Sequence, residues 1–127
     1  MIRILIVDDV KGWRDYHCQV LSSMFPDSEI LTADCAKDGY DCLLQNNENP
    51  FDIIISDLQM EDDFEPKYAG EWFVEQVKTF KSYSKAKIVI ISAAYNIRHI
   101  AEDLGVNCIP KPTAYNFPDS YLFLQEN

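Results

Sequence analysis

The chain has 127 residues, of which 47% are hydrophobic, and this size and composition fit one globular domain with its own core. Its 21 acidic and 11 basic residues give a formal net charge of −10, which repels phosphate backbones and anionic lipids and argues against direct nucleic-acid binding. The apolar run at 2–7 is too short to cross a membrane and lacks a signal-peptide pattern, so we expect a cytoplasmic protein.

Short runs rich in Ile and Val predict the strands of a sheet. Four of them lie at 2–7, 29–33, 52–56 and 88–91, and a fifth is expected near 106–109. The first, third and fourth runs are almost continuously apolar, which is typical of strands that are buried on both faces.

Segments with helical spacing separate these runs. Their apolar stripes contain Trp13, His17, Val20, Leu21 and Met24, then Phe73, Val77 and Phe80, then Ile97, Ile100, Ala101 and Leu104. Gly105 follows the third stripe, where a left-handed helix cap is expected. Pro118 interrupts the expected last helix and leaves 119–125 as a short amphipathic piece that packs through Tyr121, Leu122 and Leu124.

The alternation of strands and helices predicts a doubly wound α/β fold. Right-handed crossovers between such units give a parallel sheet of about five strands with helices on both faces. We expect one domain over 1–127, with an extended acidic loop at 58–69. Four cysteines, with no C-x-x-C pair, predict reduced thiols rather than a zinc site.

Acidic residues follow two of the predicted strands directly. Asp8 and Asp9 come after the first strand and Asp57 comes after the third. Because chemistry in such sheets gathers at the carboxyl ends of the strands, we expect these carboxylates to meet at one edge. Clustered carboxylates repel each other unless a cation is bound, and hard oxygen ligands suit Mg²⁺. The sequence therefore predicts a magnesium site.

A hydroxyl and an ammonium group follow the last two strands. Ser92 comes after the fourth strand and Lys111 after the fifth, between two prolines. A metal, a lysine and a hydroxyl can each stabilise the negative charge of a phosphoryl group in transfer. We therefore infer phosphoryl transfer to a carboxylate, with Asp57 as the nucleophile and Asp8 and Asp9 holding Mg²⁺.

In order and spacing these motifs resemble the receiver domains of response regulators. The matching stretches are ILIVDD at 4–9, IIISDLQM at 53–60, IISAA at 90–94 and KP at 111–112. The resemblance covers nearly the whole chain and implies a flavodoxin-like, CheY-like sandwich.

The resemblance also implies roles for individual residues. Asp57 is then the phosphorylation site, Ser92 and Lys111 contact the phosphoryl oxygens, and Asp8, Asp9, Asp57 and the backbone carbonyl of Gln59 bind Mg²⁺. The implied phosphodonor is a phosphohistidine on a sensor histidine kinase or a histidine phosphotransfer protein. Phosphorylation is expected to switch protein binding, to a downstream target or to an output domain, without turnover of an external substrate.

Two features depart from the family pattern. Cys108 stands where the family usually carries an aromatic switch residue, three positions before the lysine. Gly70 matches the glycine that begins the third crossover helix, but it follows Asp57 by more residues than usual, which leaves the acidic loop at 58–69 as an insertion.

Three alternatives remain open at the level of sequence. One is a magnesium-dependent phosphatase or phosphotransferase of similar fold, although the second acid that such enzymes place two residues after the nucleophile is Gln59 here. Another is a receiver that is no longer phosphorylated. The third is a flavin- or nucleotide-binding module, for which the glycine-rich phosphate loop is missing after Val7.

Overall fold

The computed structural model describes residues 1–60 and 67–126. Residues 61–66, the centre of the predicted acidic loop, lie outside the described residues. No helix of the described part is long and apolar enough to cross a membrane.

Five parallel strands form one sheet in the order β2-β1-β3-β4-β5. They are β1 (Arg3–Val7), β2 (Glu29–Ala33), β3 (Ile53–Ser56), β4 (Lys87–Ser92) and β5 (Asn107–Pro110). The doubly wound α/β sheet expected from the sequence is confirmed, and each predicted strand is found within one or two residues of its expected bounds.

The helices cover both faces of the sheet. They are α1 (Lys11–Met24), α2 (Ala36–Gln45), α3 (Ala69–Val77), α4 (Ile97–Leu104) and α5 (Lys111–Asn116). A short 3₁₀ turn at Lys81–Tyr83 precedes β4, and a C-terminal 3₁₀ segment, Pro118–Gln125, follows α5. Gly105 caps α4 in the left-handed conformation, as predicted.

Alternate residues of the central strands point to opposite faces and build two cores. In β1, Leu5 and Val7 pack toward Phe73 of α3 and the α2 side of the sheet. Ile4 and Ile6 pack on the other face, in a cluster that includes Leu21 of α1, Tyr121 and Leu124. A third apolar cluster joins the end of β3, α3, β4 and α4. Both faces of the sheet are covered. The polar residues that end or follow β1, β3 and β4 therefore gather at the carboxyl ends of these strands.

Two packing expectations for the chain's helical parts were incomplete. Tyr121 and Leu124 are buried as predicted, but Leu122 is largely exposed because the segment after Pro118 winds as a 3₁₀ helix. Phe80 lies beyond the end of α3, where it still packs against the α2 side of the core. All four cysteines are free thiols.

Candidate functional site

The register of the sheet brings the predicted acidic residues together. Val7 pairs with Ser56 across β1 and β3, so Asp8 and Asp57 leave the sheet side by side. Single carboxylate oxygens of Asp8, Asp9 and Asp57 all lie within 4.8 Å of one another. The point where strand order reverses, between β1 and β3, therefore carries a cluster of three carboxylates.

Among the described residues, two groups donate hydrogen bonds to the Asp57 carboxylate. Its side chain is buried, with 4% of its surface exposed. The Leu58 backbone N–H donates to Oδ1 at 2.7 Å, and the Lys111 ammonium donates to Oδ2 at 2.9 Å. One oxygen is thus held by a backbone N–H, while the other accepts from a side-chain cation.

Lys111 connects the two buried acids. It is the first residue of α5, and its Nζ atom lies 3.2 Å from Oδ2 of Asp8 as well as 2.9 Å from Oδ2 of Asp57. Its ammonium lies 5.1 Å from the centroid of the Trp13 ring, within range of a cation–π contact. Burial lowers the pKa of Lys111. The hydrogen bonds and negative charges of Asp57 and Asp8 raise it by more, so the net effect is a raised pKa. The amine is therefore a cation at neutral pH.

Asp8 is the most deeply buried of the acids, with 1% of its surface exposed. Its Oδ1 accepts a hydrogen bond from the Val10 N–H at 2.9 Å, and Arg14 donates to its backbone carbonyl at 2.8 Å. Burial raises the pKa of Asp8 despite the Val10 hydrogen bond, and the nearby negative charge of Asp57 raises it further. A bound cation would stabilise the ionised form of Asp8 against both effects.

Ser92 and Gln59 lie at the same edge of the sheet. Ser92 is the last residue of β4 rather than the first residue after it, and it pairs with Pro110, directly before Lys111. Its buried Oγ accepts a hydrogen bond from the Ala94 N–H at 3.2 Å. Gln59 lies two residues beyond Asp57 with an exposed side chain. The roles assigned to these two residues remain predictions.

Gly70 lets α3 begin directly against the carboxyl end of β3. Its N–H donates to the Leu58 carbonyl at 3.0 Å. A Cβ atom at this position would lie 2.0 Å from the carbonyl oxygen of Asp57 and 2.6 Å from Cα of Leu58. The glycine predicted to begin the third crossover helix is therefore required by a backbone contact.

Two buried polar residues beside the site were not predicted to belong to it. The sequence predicts His17 as part of an apolar stripe of α1 and Tyr121 as a packing residue of the C-terminal segment. In the structure His17 Nδ1 and the Tyr121 hydroxyl lie 2.7 Å apart, and His17 Nε2 lies 4.0 Å from Oδ2 of Asp8. The signal in the sequence was a histidine at a position where the stripe predicts an aliphatic residue.

The chain matches no protein-family model and no curated protein. Among solved structures it is similar to the chemotaxis protein CheY4 of Vibrio cholerae, with 25% identity over 88% of each chain and a TM-score of 0.67. It is also similar to the receiver domain of a DNA-binding response regulator from Colwellia psychrerythraea, with 23% identity over 96% of this chain and 95% of that one and a TM-score of 0.75.

A third similar structure is the Mn²⁺-bound form of the response regulator Rcp1. It shares 21% identity over 98% of this chain and 90% of that one, with a TM-score of 0.72. The resemblance that the strand-end motifs indicated is thus matched over almost the full length of the fold. The chain has the fold of the response-regulator receiver domains.

Proposed function

We propose that this chain is a phosphoacceptor receiver of two-component or phosphorelay signalling, in which Asp57 is phosphorylated with the help of Mg²⁺. The observation that carries the proposal is the contact of Lys111 with Asp57, 2.9 Å between Nζ and Oδ2, beside the carboxylates of Asp8 and Asp9. A cation, a nucleophilic carboxylate and an acidic pocket together make up the chemistry of phosphoryl transfer to aspartate.

The residues of the pocket fit a magnesium ion. Three carboxylates lie within reach of one cation, and Oδ2 of Asp8 is a buried oxygen that faces the Lys111 ammonium at 3.2 Å. Asp8, Asp9, Asp57 and the backbone carbonyl of Gln59 would hold the ion, which when bound supplies positive charge against the phosphoryl oxygens. The Mn²⁺-bound form of Rcp1 is a precedent for a divalent cation in a similar protein.

Asp57 is the nucleophile of this proposal. Its carboxylate oxygen forms a bond to phosphorus while the bond from phosphorus to one imidazole nitrogen of the donor phosphohistidine breaks. The other ring nitrogen of the donor carries a proton taken from solvent, so the donor leaves as a neutral imidazole. The Leu58 N–H keeps the other oxygen in place during attack. Lys111 stays beside the reacting group and moves its hydrogen bond from the carboxylate to a phosphoryl oxygen.

Ser92 donates the second side-chain hydrogen bond to the phosphoryl group. Its Oγ already accepts from the Ala94 N–H, so the hydroxyl proton remains for a phosphoryl oxygen. That bond pulls on the end of β4. Phosphorylation then shifts the equilibrium between two conformations of the face around Ser92, Tyr95 and Cys108. Tyr95 is 95% exposed on this face, where a partner can reach it.

The partners in this proposal come from the likeness to receiver domains. A sensor histidine kinase or a histidine phosphotransfer protein supplies the phosphoryl group. A downstream target protein or an output domain responds to the phosphorylated state. The chain catalyses its own phosphorylation and dephosphorylation, and it turns over no external metabolite.

Intact-mass measurement after incubation with acetyl phosphate and Mg²⁺ tests the proposal. We expect the addition of one phosphoryl group in the wild type and none in Asp57→Asn. Asp34→Asn is the matched control, because Asp34 follows β2 at the same edge of the sheet, has the same charge and lies outside the cluster of Asp8, Asp9 and Asp57. It should be phosphorylated like the wild type.

Two results would contradict the proposal. A wild-type chain that gains no phosphoryl group under these conditions would be a receiver fold without phosphoacceptor function. Continuous hydrolysis of an aryl phosphate, with many turnovers per chain, would favour the phosphatase alternative.

A further inference from the structure

His17 is a polar residue in an otherwise apolar core. It is 0% exposed, in the face of α1 that packs on β1 together with Leu21 and Ile4. Its only hydrogen bond among the described residues joins Nδ1 to the Tyr121 hydroxyl at 2.7 Å, and Tyr121 is also 0% exposed. An aliphatic residue and a phenylalanine would fill these two positions without the cost of burying polar groups.

The hydrogen bond determines which ring nitrogen carries the proton. A hydroxyl that donates to Nδ1 leaves the ring proton on Nε2. The other tautomer would leave the Tyr121 proton without an acceptor among the described residues and would turn the Nε2 lone pair toward a carboxylate. The Nε2–H tautomer is therefore favoured.

The proton on Nε2 is directed at the acidic pocket. Nε2 has no hydrogen-bond partner among the described residues and lies 4.0 Å from Oδ2 of Asp8. That separation is about 1 Å longer than an N–H···O hydrogen bond, so His17 and Asp8 face each other across a contact in which no hydrogen bond is formed. The other oxygen, Oδ1, is already fixed by the Val10 N–H at 2.9 Å.

We propose that His17 is a positioning residue for the cation site, in which its Nε2–H orients the Asp8 carboxylate and Tyr121 fixes the tautomer. The inference rests on the proposed function. When Lys111 moves from the carboxylates to the phosphoryl group, Asp8 loses its neighbouring ammonium at 3.2 Å, while His17 Nε2 stays 4.0 Å from the same oxygen. Outer partners that orient a ligating carboxylate commonly contribute strongly to metal affinity.

Three variants test this role. His17→Leu removes the donor, and the double variant His17→Leu/Tyr121→Phe also removes the hydroxyl that would otherwise be buried without a partner. His17→Gln keeps an N–H donor at a reach similar to that of Nε2. Two quantities are measured, namely Mg²⁺ affinity from the change in tryptophan fluorescence, since Trp13 lies beside Lys111, and the Mg²⁺ dependence of phosphorylation by acetyl phosphate.

We expect both leucine variants to need about tenfold more Mg²⁺ for half-saturation, in binding and in phosphorylation. At saturating Mg²⁺ their maximal phosphorylation rate should equal that of the wild type, because Asp57 and Lys111 are unchanged. His17→Gln should recover most of the lost affinity. A merely structural role would lower the rate or the stability without this separation of Mg²⁺ affinity from maximal rate.

The outcomes separate this inference from the proposed function. If the folded double variant binds Mg²⁺ with wild-type affinity, the role of His17 is wrong and the proposed function stands. The same holds if His17→Gln binds Mg²⁺ no more tightly than His17→Leu. If the wild type binds Mg²⁺ but gains no phosphoryl group, the proposed function fails, and the affinities still decide the role of His17. If the wild type binds no Mg²⁺, both are wrong.

Discussion

At the scale of single residues, Gly70 is the position where the site and the fold depend on the same contact. Gly70→Ala places a methyl group on the backbone of Asp57 and Leu58, so α3 or the end of β3 must shift. We expect a loss of about 3 kcal/mol in the free energy of unfolding, measured by urea denaturation. Gly12→Ala is the control, because nothing lies within 4 Å of a Cβ there, and alanine in α1 should add about 0.8 kcal/mol. Equal stability of Gly70→Ala and wild type would refute the contact.

Lys111 also joins stability to the site. Lys111→Met keeps an unbranched side chain, one atom shorter, but removes the charge between Asp8 and Asp57. Without metal the two buried acids then repel each other. We expect the free energy of unfolding to fall by about 3 kcal/mol in EDTA. Because an ammonium no longer competes for the same carboxylate oxygens, the variant should bind Mg²⁺ more tightly than the wild type, and Mg²⁺ should restore much of the loss.

Urea denaturation with and without Mg²⁺ measures both effects of Lys111→Met. Lys85→Met, at an exposed lysine, is the control for loss of a positive charge and should respond to Mg²⁺ like the wild type. Weaker Mg²⁺ binding by Lys111→Met would contradict competition between the ammonium and the metal.

At the scale of elements, the turn before β4 is tied to α2 by one buried hydroxyl. Tyr83 donates to the Leu43 carbonyl at 2.8 Å, and its ring stacks on Phe51. Burial raises the pKa of Tyr83 to about 12, against 10.0 for a free tyrosine. Below pH 10 both the folded and the unfolded chain keep the proton, and the bond contributes fully. Between pH 10 and 12 only the unfolded chain loses it, so the contribution falls as pH rises.

We therefore expect a pH-dependent difference between the wild type and Tyr83→Phe. The stability advantage of the wild type should shrink by about 1 kcal/mol when unfolding is measured at pH 11 instead of pH 8. Tyr95→Phe, at an exposed tyrosine, should show the same difference from the wild type at both values. A constant advantage for Tyr83 would mean that its hydroxyl is solvated in the folded chain.

The strands could be predicted from the sequence, whereas some helices could not. Continuous runs of Ile and Val have few alternatives to a buried parallel strand. The helix α2 went unpredicted because Asp38, Gly39 and Asp41 interrupt its apolar stripe and its N-cap is the sulfur of Cys35, an uncommon capping group. Helix ends were also uncertain, as Phe80 continues the spacing of α3 after that helix has stopped.

The cluster of acids with Lys111 was predictable for a topological reason. Residues that follow parallel strands must share one edge, so Asp8, Asp57 and Lys111 could be placed together from strand order alone. The contact of His17 with Tyr121 joins residues separated by 104 positions, and no periodicity or motif connects them. Such a pairing depends on how α1 and the C-terminal segment pack, which the three-dimensional structure determines.

At the scale of the whole molecule, the net charge of −10 makes stability sensitive to all cations. Self-repulsion of the acidic surface destabilises the folded state, and added salt screens it without binding at any one place. The three carboxylates at the carboxyl ends of β1 and β3 concentrate the same negative charge locally. Two of them are buried, so dissolved salt screens them poorly. Specific metal binding should therefore be separable from screening.

Asp9 makes this separation possible, because it is the exposed member of the cluster and the fold does not depend on its burial. At Mg²⁺ tenfold above its dissociation constant, we expect the free energy of unfolding to exceed that in NaCl of equal ionic strength by about 1.4 kcal/mol. Asp9→Asn should respond equally to both salts. Asp27→Asn, at an exposed aspartate outside the acidic groups of the described residues, should keep the excess stabilisation by Mg²⁺. Thermal denaturation in the two salts measures the difference. If NaCl stabilises the wild type as much as Mg²⁺ does, the carboxylates act only as part of a diffuse negative field, and the edge of the sheet is not a metal site.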